Sequence, residues 1–118
     1  MEGLVVDRKK YKMVVQEREK AVKIQVYGLI RSEDATQYMT DFEYTIGQVS
    51  KRDYTLVVDA TYQTTVPSSV LEQLDQTLVF YTTLGFKNVQ IVNPNSKIAQ
   101  VQLRNALERI DFSGSVIS

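Results

Sequence analysis

The chain has 118 residues, 43% of them hydrophobic and 24% charged, which suits one globular domain with its own core and excludes disordered and fibrous classes. It contains no Cys and no His, which excludes thiol nucleophiles, serine-histidine triads, zinc clusters and Cys-bound iron-sulfur centres. The 14 basic and 14 acidic residues cancel, and no apolar run approaches the roughly 20 residues of a membrane span. We expect one domain over residues 1–118 that is not an enzyme, binds no cofactor or metal ion and does not insert into a membrane.

The N-terminal segment predicts either a loosely held arm or an added edge strand over residues 1–10. Its charged residues follow the apolar patch at 4–6, the reverse of a secretory signal, so a cytoplasmic protein is expected. Residues 1–31 contain eight Lys/Arg and four acidic residues, an excess of positive charge. The basic run at 8–12, however, lacks the interleaved aromatic residues of a nucleic-acid binder. The sequence therefore predicts no nucleic-acid partner.

Two strands and a helix follow. Residues 11–16 and 21–30 predict an antiparallel hairpin, because a charged segment at 17–20 separates them. The second strand alternates between an apolar face and a largely polar face, with Val22, Ile24 and Val26 on one and Lys23, Gln25 and Tyr27 on the other. From Ser32 the apolar period becomes helical, through Tyr38, Phe42 and Ile46, and Ser32 suits an N-cap.

The central stretch predicts a strand, a loop and a helix start. Residues 54–58 form an almost unbroken apolar run, typical of a strand covered on both faces, and Asp59 ends it. Pro67 suits a first helical position, whereas Ser69 and Glu72 form a capping box. This strand end is where open α/β sheets bind ligands. The candidate loop and partner surface comprises Asp59, Thr61, Tyr62, Thr64 and Thr65, with Asn93 and Asn95 from the next strand end.

The remaining elements complete an alternating pattern. The second helix carries an apolar stripe through Leu74, Leu78 and Tyr81, and Gly85 supplies a C-cap. A strand at 88–93 precedes a third helix, which either Asn95 or Ser96 caps. Residues 112–118 predict a short last strand or a frayed tail. The order ββαβαβα predicts an α/β fold with a mixed sheet of four to five strands covered by three helices.

This order and three segments resemble the STAS domain, shared by bacterial anti-sigma-factor antagonists and the cytoplasmic modules of sulfate transporters. The segments are Leu56-Val57-Val58-Asp59, Val66-Pro67-Ser68-Ser69 and Val89-Gln90-Ile91-Val92-Asn93. The resemblance implies that Ser68 or Ser69 occupies the position that a partner kinase phosphorylates. In that family phosphorylation switches binding to the kinase or to a sensor protein.

The chain departs from the family at the switch itself. The family motif usually reads Asp-Ser-Ser/Thr-Gly, whereas Pro67 stands here at the Asp position and Val70 at the Gly position. The chain also ends near the expected fifth strand, so we expect the family's last helix to be missing. The resemblance therefore implies a non-enzymatic interaction and regulatory module without a standard phosphorylation switch.

Three alternatives stay open. The serines at 68 and 69 can act as plain helix caps, or as contacts for an anion at a helix N-terminus. A small-ligand or anion binder would use the carboxyl edge of the sheet, where Asp59, Asn93 and Asn95 would converge with them. A structural subunit would form a homo-oligomer through an exposed edge strand or helix. The sequence names neither the protein partner nor the ligand.

Overall fold

The computed structural model describes residues 3–27, 32–62 and 71–117 of the chain, and these form six strands and three α-helices. The elements are β1 (Gly3–Asp7), β2 (Tyr11–Gln16), β3 (Ala21–Val26), α1 (Ser32–Ile46), β4 (Thr55–Asp59), α2 (Leu71–Thr82), β5 (Asn88–Val92), α3 (Lys97–Arg109) and β6 (Ser115–Ile117), with a 3₁₀ turn at Lys51–Asp53 before β4. The predicted α/β class is confirmed.

The strands lie in one sheet in the order of the chain, from β1 to β6. The first two pairs are antiparallel, and every later pair is parallel. The segment between each pair of parallel strands contains a helix, as a parallel connection requires. The sheet has more strands than the four to five predicted, because the N-terminal segment pairs as β1 and the C-terminal segment pairs as β6.

The core lies between one face of the sheet and the inner sides of the three helices. Successive residues of a strand point to opposite faces of the sheet, so every second side chain of a strand can reach the core. Its largest fully buried side chains are Phe42 from α1, Met13, Ile24, Leu56, Ile91 and Val22. The same cluster includes buried residues of α2 and α3, among them Leu78, Tyr81, Leu103 and Leu107.

Strand β4 differs from its prediction in one respect. Leu56 and Val58 are buried in the core, whereas Thr55 and Val57 on the other face are only partly buried. The strand therefore alternates although its sequence is nearly continuous in apolar residues. Asp59 is the last residue of β4 on this second face, and it is buried, with 5% of its surface exposed.

Helix ends follow local chemistry. Ser96 caps α3, since its Oγ accepts a hydrogen bond from the backbone N–H of Ala99 at 3.3 Å. This settles the choice between Asn95 and Ser96. After α2, Gly85 adopts a φ of 89°, a left-handed conformation that a residue without a Cβ adopts at little cost. The predicted start of α2 at 67 or 69 lies outside the described residues.

A group of aromatic rings joins α1 to α2 within the core. The hydroxyls of Tyr38 and Tyr81 share a hydrogen bond of 2.6 Å, and both residues are buried. The ring of Phe42 packs against both, with centroids 6.0 Å from Tyr38 and 5.7 Å from Tyr81. Tyr38 and Tyr81 thus serve packing, and Tyr54 is buried in the same core.

Candidate functional site

The candidate site is built around Asp59, at the carboxyl end of β4. Parallel pairing of β3 with β4 sets Gln25 opposite Asp59, with Lys23 two residues earlier on the same face of β3. These polar residues lie on the sheet face that does not supply the core cluster. The alternation of β3 predicts such a face, and the register places it beside the candidate residue.

Four donors surround the Asp59 carboxylate. Its Oδ2 accepts a hydrogen bond from Gln25 Nε2 at 3.1 Å and lies 3.5 Å from Lys23 Nζ. Its Oδ1 accepts bonds from the backbone N–H of Thr61 at 3.0 Å and from the Thr61 hydroxyl. Two donors thus come from the neighbouring strand and two from the residue that begins the next loop.

Burial alone would raise the pKa of Asp59, because a buried carboxylate loses its hydration. The hydrogen bonds from Thr61 and the charge of Lys23 outweigh this effect, so that the pKa of Asp59 lies below its usual value. Asp59 is therefore ionised at neutral pH and acts as an acceptor. An ionised carboxylate with this many donors suits an anchor better than a general acid or base.

The loop that Asp59 holds is fixed from its other side by backbone bonds to β5 and the segment after it. The N–H of Ala60 donates to the carbonyl of Val92 at 3.1 Å, and the N–H of Asn95 donates to the carbonyl of Thr61 at 3.1 Å. Residues 60 and 61 are thus tied directly to β4 and β5, and to β3 only through the Asp59 carboxylate. Asn95 contributes to this arrangement through its backbone.

Next to the anchor lies a surface that we call the tyrosine surface, formed by Lys12, Tyr27 and Tyr62. Tyr62 is 54% exposed, and its ring lies 5.8 Å from that of Tyr27. The Tyr27 hydroxyl donates to Gln25 Oε1 at 3.1 Å, and Lys12 Nζ lies 5.8 Å from the centre of its ring. Gln25 therefore links the tyrosine surface to the Asp59 carboxylate.

The predicted site residues do not all meet. Val92 pairs with Asp59, so the next residue, Asn93, points to the opposite face of the sheet. Asn93 lines a groove of about 610 Å³ beside α3 and β6, on the far side from the anchor. Ser68 and Ser69 lie outside the described residues, as do Thr64 and Thr65. The structure brings together Asp59, Thr61, Tyr62 and the backbone of Asn95.

Four residues of this site were not among the sequence candidates, namely Lys12 from β2 and Lys23, Gln25 and Tyr27 from the strand predicted at 21–30. The alternation of the last three marks the polar face of β3, but the sequence does not show which strand end that face meets. Within ranges 3–27, 32–62 and 71–117, no three acidic side chains cluster as a metal ion would need. No helix in the described part of the chain is long and apolar enough to cross a membrane.

Comparison of the chain with protein-family models, with curated proteins and with solved structures found no match. The fold and the geometry of the site therefore carry the functional argument.

Proposed function

We propose that this chain is a non-enzymatic, cytoplasmic protein-interaction module of STAS-like type, which binds a protein partner through Thr61 and the adjoining tyrosine surface. The observation that carries the proposal is the exposed Tyr62 on a loop whose first residues are tied to Asp59 of β4 and to β5. Capture from native lysate, described below, identifies the partner.

The anchored loop supports protein binding for a physical reason. Tyrosine is enriched at protein interfaces, where it offers a large contact area and a polar tip. Binding through a segment that is already ordered costs less conformational entropy than binding through a loose one. Asp59 orders the start of the loop, and Tyr27 packs beside Tyr62.

The ββαβαβα order from β2 to α3 and the strand that ends in Asp59 are what a STAS-like module would share. The proposal does not include the family's usual phosphorylation switch, because Pro67 and Val70 replace its flanking Asp and Gly. The anion-binding alternative has less support, since Asn93 lies on the opposite face of the sheet from Asp59.

Replacement of Tyr62 by alanine should weaken partner binding at least tenfold, as expected for an aromatic residue in the centre of an interface. The wild-type chain is first used to capture a partner from native lysate, and binding to the purified partner is then measured by calorimetry. Tyr44→Ala is the matched control, because Tyr44 is 65% exposed on α1, which covers the face of the sheet opposite to Asp59.

Equal affinity of the Tyr62→Ala and wild-type chains would contradict the proposal. So would a loss of affinity confined to the Tyr44→Ala chain. Both variants should keep the wild-type thermal unfolding midpoint, since each removes an exposed side chain.

A further inference from the structure

The groove that Asn93 lines has an apolar floor and a charged rim. The floor comprises Leu103 and Leu107 of α3 together with Phe112 and Val116. The rim carries three exposed charged residues, Arg104, Glu108 and Asp111. Arg104 and Glu108 lie one helical turn apart on the same flank of α3. The groove runs along β6, whose outer edge has no neighbour among the described strands.

The two edges of the sheet differ in how well they can pair with another strand. The register of β1 against β2 shifts between Leu4 and Val6, and Asp7 and Arg8 add charge at its end. Bulges and charges of this kind protect an edge from further pairing. Strand β6 carries neither feature, and its Val116 and Ile117 are 43% and 40% exposed.

Strand β6 is held firmly enough to act as a template. It pairs with β5 through Val92, and the N–H of Asn93 donates to the carbonyl of Ile117 at 2.8 Å. Gly114, just before the strand, packs so closely that a Cβ there would overlap the Val89 carbonyl oxygen. The edge and the groove thus belong to one fixed surface.

We propose that a second copy of this chain covers this surface, with β6 pairing antiparallel to the partner's β6 across a two-fold axis. Arg104 and Glu108 favour this occupant because the two charges are complementary to the same two charges of a second copy. Antiparallel α3 helices set Arg104 of one copy against the partner's Glu108, and the two-fold axis repeats the pair. The apolar floors of the two grooves then pack against each other. This apolar burial adds to the few backbone hydrogen bonds that the three-residue strand β6 can form.

The test uses charge reversal and its compensation. The wild-type chain should sediment as a dimer at roughly 100 μM, a concentration that populates an interface of micromolar affinity. Arg104→Glu and Glu108→Arg should each give a monomer, because every pair becomes one of like charges. The double variant R104E/E108R restores opposite charges in the symmetric arrangement and should sediment again as a dimer.

Lys97→Glu is the control, since Lys97 is exposed at the start of α3 and does not line the groove. It should leave the dimer unchanged. A monomeric wild-type chain at that concentration would overturn the proposal. So would a double variant that stays monomeric although its unfolding midpoint equals that of wild type. Because the tyrosine surface lies elsewhere, Tyr62→Ala should leave the dimer intact.

Discussion

Replacement of Asp59 by asparagine should lower the free energy of unfolding by about 2 kcal/mol at neutral pH, the range for hydrogen bonds to a buried charged group. The amide keeps the volume of the carboxylate and can still accept from Thr61. Its nitrogen, however, replaces an acceptor that faces Gln25 Nε2 and Lys23 Nζ. Urea denaturation of both chains measures the difference.

The pH dependence of this loss has a defined sign. The pKa of Asp59 is lower in the folded chain than the unfolded value of about 3.9, so the ionised carboxylate stabilises the fold above that pH. This contribution disappears as the pH falls through the folded pKa. The difference between wild type and Asp59→Asn should therefore be full at pH 7 and shrink below about pH 4.

Asp53→Asn is the matched control, because Asp53 is exposed in the 3₁₀ turn that precedes the same strand. Its effect on the free energy of unfolding should stay within about 0.5 kcal/mol. A full difference for Asp59→Asn that persists at pH 3, or an increase in stability at pH 7, would show that the carboxylate does not anchor the loop.

The buried tyrosine pair should show strong coupling. Tyr81→Phe leaves the Tyr38 hydroxyl without its partner in the core and should cost about 1–3 kcal/mol. Tyr38→Phe should cost a similar amount. The double variant removes both hydroxyls and should lie closer to wild type than the sum of the single changes predicts.

Urea denaturation of the four chains completes this double-mutant cycle. Burial raises the pKa of both tyrosines, so their hydroxyls stay protonated up to at least about pH 10. The coupling should therefore not change between pH 6 and about 9. Additive losses would mean that the two hydroxyls do not share a hydrogen bond in solution.

Local periodicity was sufficient for most of the fold. Alternation identifies β3, and the helical spacing of apolar residues identifies α1, because both signals lie within one segment. The structure of residues 1–10 could not be predicted in this way, because their local sequence fits a loose arm and an edge strand equally well. Only pairing with β2 decides between them. Strand β6 depends on β5 in the same way.

The site was predicted in part. Asp59 is visible in the sequence because it ends an apolar run, and the sequence analysis includes it in the candidate loop and partner surface. Its donors on β3 depend on the register between strands 34 residues apart, which no local pattern specifies. The position of Asn93 depends on the same kind of register. Once Val92 is known to pair with Asp59, strand alternation places the side chain of Asn93 on the opposite face of the sheet.

The most direct test of the proposed interaction is oxidative footprinting of the chain, alone and bound to the partner that it captures. Tyr62 and Tyr44 are both exposed, so both should be oxidised in the free chain. Binding should strongly reduce oxidation of Tyr62 and leave Tyr44 unchanged. Unchanged oxidation of Tyr62 in the saturated complex would contradict an interface at the Asp59-anchored loop.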